Sequence, residues 1–276
     1  MATVDLDAYV HRVGYSGPRT PTLDTLRDLH LRHPETIPFE NLNPLLGWPV
    51  RLDPASLEQK LIRDGRGGYC YEQNLLFRHV LEGLGFRVTG LAARVLLNVP
   101  DGVVRPKTHV LLAVEVAGQS YIADVGFGGQ TPTAPLRMEP AVEQVTPHGR
   151  FRLLPAGDGF VLQTDVRGAW TPVYRFDLRE QYLVDYEVAN WYVSTHPTSH
   201  FVSALLAARP APGRRYALRD NELSVHTIGG GTERRVLTDA AKLRGVLTDL
   251  FRLTLPTEPG LEPALERIAA KPAPTP

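Results

Sequence analysis

Residues 66–97 read RGGYCYEQNLLFRHVLEGLGFRVTGLAARVLL, and the pattern changes character inside them. From Glu72 to Leu84 the apolar residues Leu75, Leu76, Val80 and Leu84 share one helical face, and Gly83 and Gly85 close it. This spacing predicts a helix over 72–84. Beyond Gly85 the helical period is lost, and Arg87–Leu97 is Val- and Leu-rich in the manner of a strand. The chain thus switches from helices to strands close to residue 86.

Working upstream, Pro21–His33 carries Leu23, Leu26, Leu29 and Leu31 near helical spacing, with Thr22 as its N-cap. Pro54–Asp64 is a second helix candidate, opened by Asp53 as cap and Pro54 at the first helical position. Downstream, His109–Val116, Gln119–Val125, Arg150–Leu154, Phe160–Asp165 and Ala169–Phe176 are short strands between turn residues. Together they suggest an antiparallel barrel or sandwich. Asp185–Thr198 has no clear period. Phe201–Ala208 reads as a short helix, and Pro210-Ala211-Pro212-Gly213 as a break. Strands at Tyr216–Leu218, Leu223–Ile228 and Arg234–Leu237 follow, then helices at Asp239–Phe251 and Leu261–Ala270. The tail Lys271–Pro276, with three prolines in six residues, is expected to be disordered.

Composition narrows the function. With 30 Lys+Arg against 30 Asp+Glu the formal charge is zero, which removes the broad electrostatic case for nucleic-acid binding. A local basic patch for a small anionic ligand stays open. A single cysteine excludes an internal disulfide framework and any Cys-rich metal cluster, and suits the reducing cytosol. The N-terminus MATVDLDAYVHRV has Asp5 and Asp7 where a signal peptide would be basic. The longest apolar stretch, Val110–Val114, is far short of the ~20 residues of a membrane helix. The expectations are a cytoplasmic protein, no metal, no nucleic acid and no membrane.

Cys70 follows two glycines and stands where the helical pattern begins. The positive end of a helix dipole favours an anion there, and N–H groups of a first turn have no intrahelical partner. They can donate to a developing oxyanion. Gly67, Gly68, Glu72, Gln73 and Asn74 are poor core packers, which argues against Cys70 as a small buried hydrophobe. A cysteine nucleophile needs a base and a group that orients the base. Among nine histidines, His30 and His33 lie in a charge-rich helix and are expected at the surface. His196 and His200 have metal-like spacing, but Pro197 breaks a helical pair and no acidic residue completes a ligand set.

His109 differs because its segment reads as a hairpin with Gln119–Asp124. If Ala117 and Gly118 form the loop, Val116 pairs with Gln119 and paired numbers sum to 235. Position 111 then faces 124, so His109 and Asp124 are diagonal neighbours on one face. A three-residue loop would reverse that parity. An Asp bonded to one imidazole nitrogen fixes the tautomer and leaves the other nitrogen for Cys70.

These residues resemble the arylamine N-acetyltransferases, most closely the actinobacterial, mycobacteria-type members. The likeness runs through Ile37-Pro38-Phe39-Glu40-Asn41-Leu42, Arg66–Asn74, Thr108-His109 and Asp124-Val125-Gly126-Phe127-Gly128-Gly129-Gln130. It continues in Trp191–Pro197, Ser199-His200-Phe201 and Gly231-Thr232-Glu233-Arg234-Arg235. The resemblance implies an α+β fold with an N-terminal helical bundle, a central antiparallel β-barrel and a C-terminal α/β lid. Its triad core would be like those of cysteine proteases and transglutaminases. The corresponding division is a helical domain 1–86, a barrel 87–184, an interdomain segment 185–212 and a lid 213–276 with the tail.

It further implies a Cys70–His109–Asp124 triad and ping-pong transfer. Acetyl-CoA would acylate Cys70, and an arylamine, arylhydrazine or arylhydroxylamine would take the acetyl group. The substrate pocket would include Phe39, Val95, Thr108, Phe127 and Phe201, with Gly126, Gly128 and Gly129 near CoA. Arg234 and Arg235 are candidates for the CoA phosphates. Two positions depart from mycobacterial relatives: Leu96-Leu97 where some have a tryptophan, and Gln73 where His is common. A cysteine hydrolase or transglutaminase-like amidase would use the same triad, and composition does not separate the two.

Overall fold

The structure, a computed structural model, describes residues 4–100 and 102–272. Helices α1 (Leu6–Val13), α2 (Leu23–Thr36), α3 (Leu42–Leu45), α4 (Pro54–Leu57) and α5 (Cys70–Gly83) fill the N-terminal third. A two-residue strand, β1 (Phe39–Glu40), lies among them. Thr22 and Asp53 cap as their residue types require, accepting from the Thr25 and Ser56 N–H groups. After α4 the helix widens into a π-helical segment, Glu58–Arg63, so the expected Pro54–Asp64 helix is present in two forms. α5 buries Leu75, Leu76, Phe77, Val80 and Leu81, and it begins two residues earlier than its apolar pattern. Cys70 is therefore the first residue of the helix.

The strands β2 (Arg87–Val95), β3 (Lys107–Val116), β4 (Gln119–Ala123), β5 (Leu136–Arg137), β6 (Gln144–Thr146), β7 (Gly149–Ala156), β8 (Gly159–Val166) and β9 (Ala169–Asp177) form one antiparallel sheet. Its order is β5-β4-β3-β2-β9-β8-β7-β6, and it curls into a nearly closed barrel. Leu91, Leu111, Ile122, Phe151, Leu153, Leu162 and Phe176 fill the interior. The two sheet edges are joined through one side chain. Gln144 accepts from the Arg137 N–H at 2.7 Å and donates to the Arg137 carbonyl at 2.9 Å. The β3–β4 hairpin has the expected register, Val116 opposite Gln119 and Leu112 opposite Ala123. Ala117 (φ 48°) and Gly118 (φ 75°) both adopt positive φ, the two-residue turn that matches strand twist.

Helices α6 (Leu183–Thr195) and α7 (His200–Ser203) lead to β10 (Leu206–Ala211), β11 (Arg214–Arg219), β12 (Glu222–Thr227) and β13 (Thr232–Val236). These strands pair in the order β1-β10-β11-β12-β13, and α8 (Ala240–Asp249) and α9 (Leu261–Ala269) follow. α6 leaves Val184, Val188 and Trp191 exposed, and its apolar residues therefore show no single face.

The helix expected over Phe201–Ala208 is corrected. Only His200–Ser203 is helical; Ala207 and Ala208 pair with Glu40 and Phe39, and the Leu206 N–H goes to Asn41 Oδ1 at 2.7 Å. Strand pairing from a distant segment overrides the helical preference of alanine. Pro210 is likewise inside β10 and not in a break. By two-residue alternation with Leu206 its ring nitrogen points to the β1 side, beyond the last β1 pair at Ala208, so no ladder bond is lost. Lys271, placed in the expected disordered tail, is anchored by a 2.8 Å bond to Asp220. Residues 273–276 of that tail lie outside the described residues. Among the described residues no helix is long and apolar enough to cross a membrane.

Candidate active site

Cys70 reaches its position through a crowded approach. A Cβ on Gly67 would stand 2.1 Å from the Pro38 carbonyl, so only glycine fits there. The Tyr69 N–H donates to Glu72 Oε2 at 3.1 Å, half of a capping box that starts α5. Gln73 Nε2 donates toward the carbonyls of Pro38, Ile37 and Gly68 at 2.8 to 3.1 Å, and its Oε1 accepts from His33. Glu72, Gln73 and Asn74, poor core packers by type, are buried here with their polar groups hydrogen-bonded. They form the polar frame that fixes the cysteine turn.

His109 comes from β3 beside a bulge. Ala93 pairs with His109 and Arg94 with Lys107, leaving Thr108 as the extra residue. A bulge re-aims the side chains next to it. The Cys70 thiol reaches the carbonyl of Thr108, the residue next to His109, at 3.7 Å. His109 Nε2–H donates to Asp124 Oδ2 at 2.7 Å, so Nδ1 is the nitrogen left for the sulfur. Asp124 stands just past the end of β4. Its Oδ1 accepts from Asn74 Nδ2 at 2.9 Å and from the Gly126 N–H at 3.0 Å. Asn74 also accepts from the Val125 N–H and donates to the Val110 carbonyl, tying the Asp124 loop to both α5 and β3.

The charges follow from this geometry. Burial opposes a cation on His109, but the Asp124 carboxylate, its hydrogen bond and the adjacent Cys70 sulfur outweigh it and raise the imidazole to about 10. Burial likewise opposes charge on Asp124, yet His109, Asn74 and the Gly126 N–H hold its carboxyl below the usual range. The pair is therefore a buried imidazolium and carboxylate at neutral pH. The rings of Phe127 and Tyr174 pack on His109 with centroids 5.0 Å away.

Cys70 and His109 open on a cleft of about 720 Å³. Phe39, Val95, Thr108, Gly126, Phe127, Gly128, Gly129 and Phe201, all eight expected pocket residues, line it. Phe39 and Phe201 face each other at 6.3 Å. A Cβ on Gly126 would meet Cys70 Cα at 2.9 Å, and one on Gly128 (φ 86°) would touch the Phe39 ring at 3.4 Å. Leu97 lines this cleft, whereas Leu96 turns to a separate groove.

Other expectations are corrected. His30 and His33 are fully buried, because α2 presses that face onto α5 and the barrel. His30 Nε2 accepts the Asp124 N–H at 3.0 Å; His33 Nδ1 accepts from the Tyr9 hydroxyl at 2.9 Å. Burial lowers them to about 4 and about 3, so both are neutral. Arg234 and Arg235 are exposed, lie beside Glu222 and Glu233, and do not line the cleft. The cleft arginines are Arg105 and Arg219. Asn74 was legible as a partner, since it stands four residues after Cys70 on the same helical face. Asn41, which donates to the Phe201 and Ala204 carbonyls at 2.8 and 2.7 Å, had no local signal.

Residues 22–259 match a family model described as N-acetyltransferase. An arylamine N-acetyltransferase of Mycobacterium tuberculosis is 47% identical, aligned over 91% of this chain and 90% of its own length. The structure of the Mycobacterium marinum arylamine N-acetyltransferase superposes with TM-score 0.93 at 45% identity, covering 96% of this chain and all of the other. The same Mycobacterium marinum enzyme solved in complex with CoA gives 0.92 at 45% identity, covering 96% of this chain and 99% of the other.

Proposed function

The chain belongs to the arylamine N-acetyltransferase family, and from that premise we propose that it moves an acetyl group from acetyl-CoA to an aromatic amine through a thioester on Cys70. The observation that carries this reading is the buried chain of Cys70, His109 and Asp124 opening on a cleft with aromatic walls. With His109 protonated, Cys70 attacks as the thiolate. Its sulfur forms a bond to the acetyl carbon, and the carbon–sulfur bond to CoA breaks. The departing CoA thiolate takes the proton from His109.

The second half restores the enzyme. An aniline is a weak base, largely neutral at pH 7, and its nitrogen lone pair attacks the Cys70 thioester. Neutral His109 accepts the amine proton, the Cys70 thiolate departs, and the imidazolium–thiolate pair is re-formed. Phe39, Val95, Phe127 and Phe201 supply the apolar wall for the ring, beside Thr108. First-turn N–H groups of α5 are suited to the developing oxyanion. Arylhydrazines and arylhydroxylamines present the same kind of nitrogen nucleophile and belong to the acceptor class. A nucleophilic thiol of this kind suits a reducing compartment such as the cytoplasm.

A hydrolase would use the same acyl-cysteine and differ in the group that resolves it. Purified protein is incubated with acetyl-CoA, with and without an aniline, and free CoA is measured. Amine-dependent CoA release supports transfer. No release with several arylamines, alongside amide or peptide hydrolysis, sinks it.

A further inference from the structure

Arg215 is a guanidinium only 6% exposed. It comes from β11 and meets backbone oxygens alone: Nε donates to the His148 carbonyl at 3.1 Å, Nη1 to Gly129 at 3.2 Å and Nη2 to Thr131 at 3.0 Å. Among the described residues no carboxylate pairs with it. Burial lowers it, to about 10, which still leaves a cation at neutral pH. A buried charge without a counter-ion is costly, and its retention calls for a reason beyond stability.

Its two loop partners belong to one turn. The Thr131 N–H closes on the Gly128 carbonyl at 3.0 Å, and the central N–H groups of Gly129 and Gln130 have no backbone acceptor among the described residues. Gly128 and Gly129 line the cleft that holds Cys70. The Gly129 and Thr131 carbonyls face Arg215, which fixes the orientation of those two peptide planes. His148 braces the same junction: its Nε2–H donates to the Ala211 carbonyl of β10 at 2.8 Å, and Nδ1 accepts from Thr133 at 3.1 Å. The C-terminal sheet is thereby clamped to the glycine turn.

We propose that Arg215 is a positioning residue for the acyl donor: it sets the Gly128–Thr131 turn and places an uncancelled positive charge behind it, toward the phosphates of acetyl-CoA. This deepens the reading of the chain as an acetyl-CoA-dependent transferase and rests on it. The whole chain has no net charge, so attraction for a polyanionic donor has to be local. A charge one residue layer behind the cleft wall acts on phosphates and is indifferent to an uncharged thioester.

The test compares two donors, acetyl-CoA and the acetyl thioester of N-acetylcysteamine, which has the same reacting group and no phosphate. Initial rates are measured with one aniline for wild type, Arg215→Gln and Arg215→Lys. For Arg215→Gln the expected result is a KM for acetyl-CoA raised about tenfold, kcat nearly unchanged, and unaltered kinetics with the small thioester. Arg215→Lys keeps the charge but not the fork, and its KM for acetyl-CoA rises less. If Arg215→Gln does not fold, Arg215→Lys carries the same donor comparison. Equal losses with both donors, or a lowered melting temperature with unchanged kinetics, overturn the proposal and leave Arg215 a purely structural clamp. Absence of CoA release by the wild type overturns the transferase reading itself, and this proposal with it.

Discussion

Asp124 Oδ2 lies 2.7 Å from His109 Nε2, with both side chains out of solvent and the remaining Asp124 oxygen held by Asn74 and the Gly126 N–H. Every hydrogen bond to Asp124 favours the carboxylate, and the carboxylate favours the imidazolium. Asp124→Asn keeps the shape and removes the charge, and its amide no longer enforces the tautomer that presents Nδ1 to sulfur. The expected loss in kcat is about 10³-fold or more, measured as amine-dependent CoA release. Alkylation of Cys70 by iodoacetamide at pH 7 slows in the same variant. Cys70→Ser is expected to be inactive, because His109 cannot ionise a hydroxyl; a serine variant with retained turnover would remove Cys70 from the mechanism.

The same pair sets a pH dependence of stability. His109 is raised from the ordinary imidazole value of about 6.5 to about 10, so its contribution is complete below about 6.5 and is lost as pH rises through about 10. Asp124 is lowered, so its contribution is present above the unfolded carboxyl range and lost in acid. Thermal melts of wild type should fall between pH 7 and pH 10, and His109→Gln should fall less over that interval. Identical slopes for the two proteins would contradict the raised imidazole.

Gly126 is packed so closely that the seating of Cys70 and Asn74 depends on its missing side chain. A methyl group there would stand 2.9 Å from both Cys70 Cα and Asn74 Nδ2. Those atoms belong to the helix start and to the Asp124 frame, and neither is the free end of a flexible chain. Gly126→Ala should destabilise by about 1–3 kcal/mol, read from urea unfolding. Its kcat/KM should drop at least ~10-fold because Cys70 and Asp124 are displaced together. Gly129→Ala, with open space around its Cβ position, serves as the tolerant comparison for folding.

The hairpin was legible because pairing parity is local: once Ala117 and Gly118 take the turn, Leu112 must face Ala123 and Asp124 comes next. Helix caps at Thr22 and Asp53 and the strands β7 to β9 were legible for the same reason. What failed depended on distant partners. Ala207 and Ala208 became strand because Phe39 and Glu40 lie beside them, and His30 and His33 were buried because α2 docks on α5. The meeting of Cys70 with His109 likewise joins a helix to a barrel strand, and spacing along the chain does not encode it. The family resemblance is what pointed to that pairing.

Glu40 and Arg66 extend the argument to the approach to Cys70. Arg66 Nε and Nη2 donate to Glu40 Oε1 at 3.1 and 2.7 Å, and Nη2 also reaches Asn43 Oδ1 at 2.9 Å. Both partners are buried, and Lys60 stands 3.8 Å from the same Glu40 oxygen while bonding Glu72 at 2.6 Å. Burial opposes charge on Glu40, but Arg66 and Lys60 outweigh it and lower the carboxyl, whereas Glu72 is raised because burial exceeds the effect of Lys60. Glu40→Gln leaves the Arg66 cation buried without its anion. The expected cost is about 3–5 kcal/mol, read from urea unfolding at pH 7. The wild type should also lose stability as pH falls below the unfolded carboxyl range and through the lowered folded value, and the variant should lose less over the same interval, since Asp124 still titrates there. Because Arg66 precedes the glycines that place Cys70, iodoacetamide reactivity should decline along with stability. A variant within about 1 kcal/mol of wild type would show that the Leu42 N–H bond to Glu40 and the Asn43 contact hold this turn without the charge.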